Sequence, residues 1–180
     1  MRAVLVSLIL SVAAAAAAQE RLLARFDAPD APAEVTEALG KLLEARQRTV
    51  AIEADPDTAD EERRLRRLRE DALATLATEG YFAPSIRVEA DRDDSARYVL
   101  RIELGPRARV GRLDLVLRGA IEAQPQRIAE LRAAWELPVG APFRDSVWAT
   151  AKSRLLARVQ EKDFAAARLV DSLAEVDADK

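Results

Sequence analysis

The chain has 180 residues, with 28 Lys and Arg against 31 Asp and Glu, and its formal net charge is −3. Both signs are mixed along the sequence, so no global field points to nucleic acid as a partner. Cysteine and histidine are absent. Disulfides and thiolate metal sites are therefore excluded, and the commonest general base is missing.

The N-terminus has the pattern of a secretory signal peptide. Arg2 precedes an apolar stretch that begins at Ala3, and small residues lead to Ala18, just before the polar Gln19. This order predicts that the protein is exported and that residues 1–18 are removed by cleavage after Ala18. The alternative is an uncleaved anchor, but the stretch is short and half alanine. Because an exported chain without disulfides needs a packed core for its stability, we expect it to fold in a bacterial periplasm.

The next part of the chain predicts a strand followed by two helices. The strand covers residues 21–27, and the two helices each have one apolar face. These faces comprise Val35, Leu39, Leu42 and Leu43 in the first helix and Leu65, Leu68, Ala72 and Leu76 in the second. An acidic loop at residues 54–62 separates the helices and offers capping residues. Gly80 is placed to end the second helix.

Two alternating strands follow the helices. Residues 85–91 and 97–105 each place apolar side chains at every second position, and residues 92–96 predict a hairpin turn between them. The alternating residues are Ile86, Val88 and Ala90 in the first strand and Tyr98, Leu100, Ile102 and Leu104 in the second. Two helices covering one face of a three-stranded sheet predict the α+β class.

The same order recurs further along the chain. A strand, a helix after Pro125, a helix from Asp145 and a strand at residues 167–178 are predicted. Their in-phase apolar residues are Leu113, Leu115 and Leu117; Ile128, Leu131 and Trp135; and Val147, Ala151, Leu155 and Val159. Tyr81-Phe82 and Asp163-Phe164 hold matching corner positions, 82 residues apart. This spacing indicates a repeated domain.

The repeat spacing places the counterpart of the strand at residues 99–104 beyond Lys180. We therefore expect the second repeat to lack its last strand and the chain to be a fragment. We also expect the second repeat to be less stable than the first, because its two strands lose their shared partner.

These repeats resemble the POTRA (polypeptide-transport-associated) domains of bacterial outer-membrane assembly proteins. The resemblance rests on the element order, the helix end at residues 76–82, the turn Gly140-Ala141-Pro142-Phe143 and the strand exit at Gly105-Pro106. It is strongest to TamA-like assembly factors and covers nearly all of the mature chain. It implies a POTRA domain at residues 19–106 and an incomplete one at 107–180, each built as a three-stranded mixed sheet covered by two helices.

Two departures from the family pattern stand out. The second repeat has Lys162-Asp163-Phe164 where the first has Gly80-Tyr81-Phe82, so its corner lacks the glycine. TamA-like proteins also continue into a further POTRA domain and a C-terminal membrane barrel. Contact with the outer membrane would depend on that barrel, which this sequence does not include.

The sequence shows no credible catalytic, cofactor or metal site. The carboxylates have no histidine, cysteine or glycine-rich loop as a partner. The Arg92-Asp93-Asp94 stretch is too short for a calcium loop and predicts a turn. Several of the arginines within residues 61–71 lie four positions from acidic residues, as Arg67 does from Asp71. Opposite charges at this spacing form pairs on a helix surface, which favours a solvated helix face over an anion-binding site. Trp135 continues an apolar stripe, whereas Trp148 lies off the main one.

The resemblance also implies a binding site. In POTRA domains the last strand lies in the middle of the sheet, which leaves the preceding strand as an open edge. That edge is formed here by Ser85, Ile86, Arg87, Val88, Glu89 and Ala90. Its free backbone groups could accept an extended segment as an added strand. The alternative is that Arg87 and Glu89 only protect the edge from aggregation.

The expected partners are unfolded outer-membrane client proteins and a TamB-like inner-membrane protein, bound without a cofactor. Two alternatives stay open. One is the POTRA region of a two-partner secretion or BamA-like transporter. The other is a free-standing periplasmic α+β enzyme or lipid carrier, which would need a concave pocket with converging polar groups.

Overall fold

The computed structural model describes residues 22–50, 58–93, 95–162 and 164–175. The predicted signal peptide lies outside these residues. The predicted first repeat, called the first repeat below, contains β1 (Leu22–Asp27), α1 (Ala33–Val50), α2 (Thr58–Thr78), β2 (Ser85–Ala90) and β3 (Ala96–Glu103). The predicted second repeat, called the second repeat below and described from residue 107 to 175 except residue 163, contains a short 3-10 helix (Ala120–Ala123), α3 (Pro125–Ala133) and α4 (Asp145–Gln160). Within the described ranges the fold is α+β, with four α-helices and one three-stranded mixed sheet.

The last strand of the first repeat, β3, lies in the middle of the sheet. The strand order is β1-β3-β2, with β1 parallel to β3 and β2 antiparallel to it. The parallel pair requires a long crossover, which α1 and α2 provide. Val99 and Leu100 point to opposite faces of β3 and are 1% and 0% exposed. The central position of β3 and the edge position of β2 are thus confirmed, and β1 forms the other edge.

The core of the first repeat lies between the sheet and the two helices. The predicted helix faces are confirmed, because their central residues are buried and the others pack around them. The buried helix residues are Val35, Leu39, Leu68, Ala72 and Leu76. They meet Ala24, Ile86, Leu100 and Ile102 from the three strands. Among the described residues, no helix has the length and apolarity needed to cross a bilayer.

On the charged face of α2, one acidic residue pairs with a different arginine from the one predicted. Asp71 pairs with Arg46 of α1 and therefore links the two helices, whereas the sequence pattern assigned it to Arg67. Arg63 pairs with Asp60 at 2.7 Å within the first turns of α2. Arg67 is exposed, as expected for a solvated helix face.

The β2–β3 turn is held by a buried carboxylate. Asp91 has a side chain only 1% exposed, and it accepts hydrogen bonds from Arg25 Nε and Nη2, both at 2.9 Å. It also accepts from Ser95 Oγ at 2.8 Å and from the backbone N–H of Ala96 at 3.0 Å. Arg25, more than the other donors, holds the pKa of Asp91 well below its usual range. The turn is thereby tied to β1 across the sheet.

Two helices of the second repeat are confirmed, but no strand is formed at the described residues of either predicted strand, 107–119 and 164–175. Residues 176–178 of the second predicted strand lie outside the described residues. Residues 112–118 still alternate between exposed and half-buried, with Leu113, Leu115 and Leu117 half-buried. A strand needs a partner for its N–H and C=O groups, and the described chain supplies no counterpart of β3 beside either segment.

The face of α4 is also rotated from the prediction. Val147 is 38% exposed, whereas its neighbour Trp148 packs against Trp135 with ring centroids 5.7 Å apart. Leu131, Trp135 and Ala151 are buried as expected.

The Asp91 clamp predicts a pH dependence. Above the unfolded-state pKa of about 3.9, the ionised carboxylate stabilises the fold; as the pH falls, the unfolded chain takes up a proton first and stability is lost. We expect Asp91→Asn to flatten the decline in the free energy of unfolding between about pH 5 and pH 3. Urea unfolding followed by circular dichroism at several pH values measures it.

The matched control is Asp93→Asn in the same turn. Asp93 also binds Arg25, at 2.8 Å, but its side chain is 77% exposed, so this variant should keep most of the slope. Equal slopes for Asp91→Asn and the unmodified chain would contradict the clamp.

Candidate functional site

The six predicted edge residues form one strand, β2, at an edge of the sheet. They pair with β3 in register from Ser85 with Glu103 to Ala90 with Tyr98. No other strand within the described chain pairs with β2. In an antiparallel pair, alternate residues direct their N–H and C=O groups away from the partner. The six residues of β2 therefore present about three such residues to an incoming chain.

The side chains of β2 are only partly anchored in the core. Ile86 is 7% exposed and packs beneath the sheet, as its alternation predicted. Val88 is 40% exposed, and Ala90 is exposed as well. Because β2 is an edge strand, the side of Val88 and Ala90 that does not face β3 is exposed to solvent. An added chain would gain an apolar contact at Val88.

The face of the sheet away from the helices carries cross-strand ion pairs. Arg101 of β3 binds Asp27 of β1 at 2.7 Å and Glu89 of β2 at 2.9 Å, so it links all three strands. Glu89, the larger influence, and Asp27 both raise the pKa of Arg101. Arg87 pairs with Glu103 at 3.3 Å. Arg87 and Glu89 thus lean toward β3, away from the open backbone edge.

Just before β2, α2 ends in a glycine cap. Gly80 has a φ of 93°, and its N–H binds the carbonyl of Ala77 at 3.0 Å. The N–H of Tyr81 reaches back to the carbonyl of Leu76 at 2.9 Å. These two bonds form a Schellman motif, in which glycine supplies the left-handed residue. The predicted role of Gly80 is confirmed.

The same corner receives the second repeat. The carbonyl of Gly80 accepts the N–H of Ala108 at 2.8 Å, and the N–H of Phe143 binds the carbonyl of Ala108 at 2.8 Å. The Phe82 and Phe143 rings lie 6.0 Å apart. A Cβ at Gly80 would lie 2.3 Å from the carbonyl oxygen of Phe143. The turn that ends at Phe143 therefore packs directly on the corner.

An ion pair with low exposure closes this junction. The Glu79 side chain is 11% exposed and lies 2.6 Å from Arg144 Nε and 3.0 Å from Arg144 Nη2. Glu79 raises the pKa of Arg144. Arg107 donates to the Glu79 carbonyl at 2.9 Å, pairs with Glu34 at 3.4 Å and lies over the Tyr81 ring. The junction thus combines contacts from both repeats.

Sequence reasoning missed Glu79, Arg107 and Arg144. Their local signals were the helix end at residues 76–82, the strand exit at Gly105-Pro106 and the turn that ends at Phe143. None of these motifs indicates which of the others it contacts. Residues far apart in the chain meet here, since Glu79 and Arg144 are 65 positions apart. No periodic pattern encodes such a pair.

One concave surface of the second repeat is a polar groove between α3 and α4, of about 370 Å³. Arg127, Glu130, Arg158 and Lys162 are among its lining residues. Arg127 already binds Glu130 and the carbonyl of Arg158. Within the described ranges, no three acidic side chains gather as a metal site would require.

Comparison with known proteins adds no relative: no family model matches the chain, and no curated protein matches it.

The junction predicts different results for two glycines with positive φ, Gly80 at 93° and Gly140 at 86°. Gly80→Ala adds a Cβ 2.3 Å from a backbone oxygen, whereas at Gly140 nothing lies within 4 Å. We expect Gly140→Ala to cost about 1 kcal/mol of unfolding free energy from backbone strain alone. Gly80→Ala should cost about 2–4 kcal/mol. Urea titration measures both, and equal losses would show that the junction contact contributes nothing.

Proposed function

We propose that this chain is the non-catalytic periplasmic POTRA region of a TamA-like outer-membrane protein assembly factor. It binds extended client polypeptides by strand addition at β2. The observation that carries the proposal is the strand order β1-β3-β2 in a β-α-α-β-β chain. This order agrees with the one that the sequence resemblance implies, and it leaves β2 open.

The energetics of the edge favour weak, sequence-tolerant binding. Each added backbone hydrogen bond contributes about 0.5–1.5 kcal/mol net. About three outward residues on β2 therefore supply only a few kcal/mol, and ordering the client offsets part of it. A site that holds unfolded chains briefly and releases them suits a step in outer-membrane protein assembly.

The side-chain arrangement supports binding more than protection alone. Natural edges are blunted by charged side chains, by proline or by bulges. Arg87 and Glu89 are charged, but they bind Glu103 and Arg101 over the outer face and leave the backbone groups of the edge open. Val88 adds an apolar contact beside the open backbone.

We also propose that the protein is exported to the periplasm. There a TamB-like inner-membrane protein is the second expected partner. We expect the mature protein, purified from a periplasmic extract, to begin at Gln19, because Ala18 ends the small-residue cleavage pattern. Mass spectrometry of the intact protein measures this. A chain that retains Met1 in the membrane fraction would contradict export by cleavage.

Strand addition is tested by nuclear magnetic resonance on the ¹⁵N-labelled chain. The probe is a synthetic ten-residue peptide from a transmembrane β-strand, with apolar residues at alternate positions. We expect shift changes and slower amide exchange at residues 85–90. Changes confined to the helices, or none, would overturn the proposal.

The matched variants for this titration are Val88→Lys and Val139→Lys. Both replace an exposed valine, but Val139 lies in the turn before α4, away from the edge. A lysine beside the open edge disfavours an added strand, so Val88→Lys should weaken peptide binding about fivefold to tenfold. Val139→Lys should bind as the unmodified chain does.

A further inference from the structure

Arg69 is the arginine of α2 that has no acidic residue at the neighbouring helix positions. The residues three and four positions away from it are Leu65, Arg66, Ala72 and Leu73. Every other arginine of α2 has an acid at one of these spacings, as Arg63 has in Asp60. Arg69 is exposed, and no described side chain forms an ion pair with it. Its charge is therefore available to a partner.

Arg69 lies on the flank of α2 that faces away from α1. Asp71, two residues further on, binds Arg46 of α1. Two residues turn about 200° around a helix, so Arg69 lies on the opposite flank. Leu65 and Leu73, four positions before and after Arg69, pack partly against the core. This flank therefore adjoins the rim of the core while the guanidinium of Arg69 reaches solvent.

The same flank is on the side of the molecule where β2 has its open edge. α1 packs over β1, and the strands lie in the order β1-β3-β2. The step from α1 to α2 therefore runs from β1 toward β2. Within the described chain, the flank of α2 that has no helix neighbour is the one nearest to β2.

Arg69 is level with the middle of β2. Arg97 of β3 donates to Glu61, near the start of α2, at 3.2 Å, and its carbonyl accepts the N–H of Asp91 at 3.0 Å. Because the start of α2 thus lies level with the end of β2, the helix and the strand run in opposite directions. From Glu61 to Arg69 the helix rises about 12 Å. That distance corresponds to roughly three or four strand residues, which leads from Asp91 back to about Val88.

We propose that Arg69 makes the β2 edge selective for extended client segments that carry an acidic side chain among their apolar ones. In the bound segment the apolar residues face α2, and the acid lies beside Val88, where it pairs with Arg69. This inference rests on the proposed function and names the class of client that the same edge takes. Val88 is 40% exposed, so both residues are accessible before a segment binds.

An acidic residue of α2 restricts where the acid of the client can lie. Glu62 is exposed and lies seven positions before Arg69, about 10 Å away on the same flank and toward the Ala90 end of β2. A client acid at that level meets a like charge, whereas one at the level of Val88 meets an opposite charge. The two charges therefore favour one register of the added segment.

An anionic membrane is a poorer partner for this arginine. The five arginines of α2 are matched by five acids, so the helix has no net charge that would attract a lipid surface. Arg69 also lies at the rim of the core, beside Leu65 and Leu73 and next to the sheet edge. An added strand reaches this position, and one acidic side chain is enough to pair with it.

The test compares two peptides that differ in one side chain. Both have the alternating pattern of the ten-residue probe, but a central apolar residue is replaced by Glu in one and by Gln in the other. We expect the Glu peptide to bind about threefold to fivefold tighter in a titration followed at the β2 amides. The difference should shrink at high salt, because the pair is accessible to solvent. Equal affinities of the two peptides would overturn the inference.

Two arginines of α2 offer a matched pair of variants. Arg67 is exposed and has no ion pair among the described residues, as is true of Arg69, but it lies about 200° away around the helix. Arg69→Gln should bind both peptides with the affinity that the unmodified chain has for the Gln peptide. Arg67→Gln should keep the preference for the Glu peptide.

The Gln peptide also shows that each variant is folded, since its binding depends on neither arginine. A preference that survives Arg69→Gln, or one that both substitutions abolish, would contradict the role of Arg69. Phosphatidylglycerol vesicles provide the competing outcome. If Arg69→Gln weakens vesicle binding in a sedimentation assay and leaves the peptide preference intact, Arg69 serves a membrane and the inference is wrong.

The failure of this inference differs from the failure of the proposed function. If both peptides perturb the β2 amides with equal affinity, strand addition at β2 stands and selection by Arg69 is wrong. If neither peptide perturbs these amides, strand addition at β2 is wrong, and selection by Arg69 is wrong with it.

Discussion

Every ladder hydrogen bond of the described sheet passes through β3, because β1 and β2 pair with it and not with each other. β3 pairs with β1 in parallel and with β2 in antiparallel orientation. The parallel pair brings together residues that are distant in sequence, such as Asp27 and Arg101, which are 74 positions apart. The crossover that this requires is the helix pair, and its apolar faces then bury β3. The open edge of β2 follows from the same arrangement, since the last strand of the repeat has taken the central place.

The described residues of the second repeat follow the same sequence pattern, but no central strand is formed among them. Its helices form and its tryptophans pack, because helix hydrogen bonds are local and an apolar face needs only a facing surface. Residues 112–118 keep the alternation of a strand but make no ladder. Alternation therefore indicates which segments are able to pair, whereas pairing itself depends on a partner elsewhere in the chain.

Much of the first repeat could be predicted from local pattern. The helix faces follow a 3.6-residue period, and Gly80 marks a helix end. The prediction for α4 failed at Val147 because it assumed that residues four apart lie on the same line along a helix. Each step of four residues turns about 40° beyond a full turn. Over several steps Val147 therefore lies outside the buried face, and Trp148 lies inside it. Glu79 with Arg144 and Arg25 with Asp91 could not be predicted, since each pair joins residues more than 60 positions apart.

The location of the junction has a consequence for biogenesis. The first repeat holds all three strands of its sheet by Glu103, whereas the junction needs residues up to Arg144. A chain that emerges N-terminus first from a ribosome or translocation pore therefore has its sheet and the Gly80 corner in place before α4 appears. The corner then acts as a template on which Phe143 and Arg144 dock as they arrive. The orientation of the second repeat is inherited in this way from the first, in the order in which the chain is delivered.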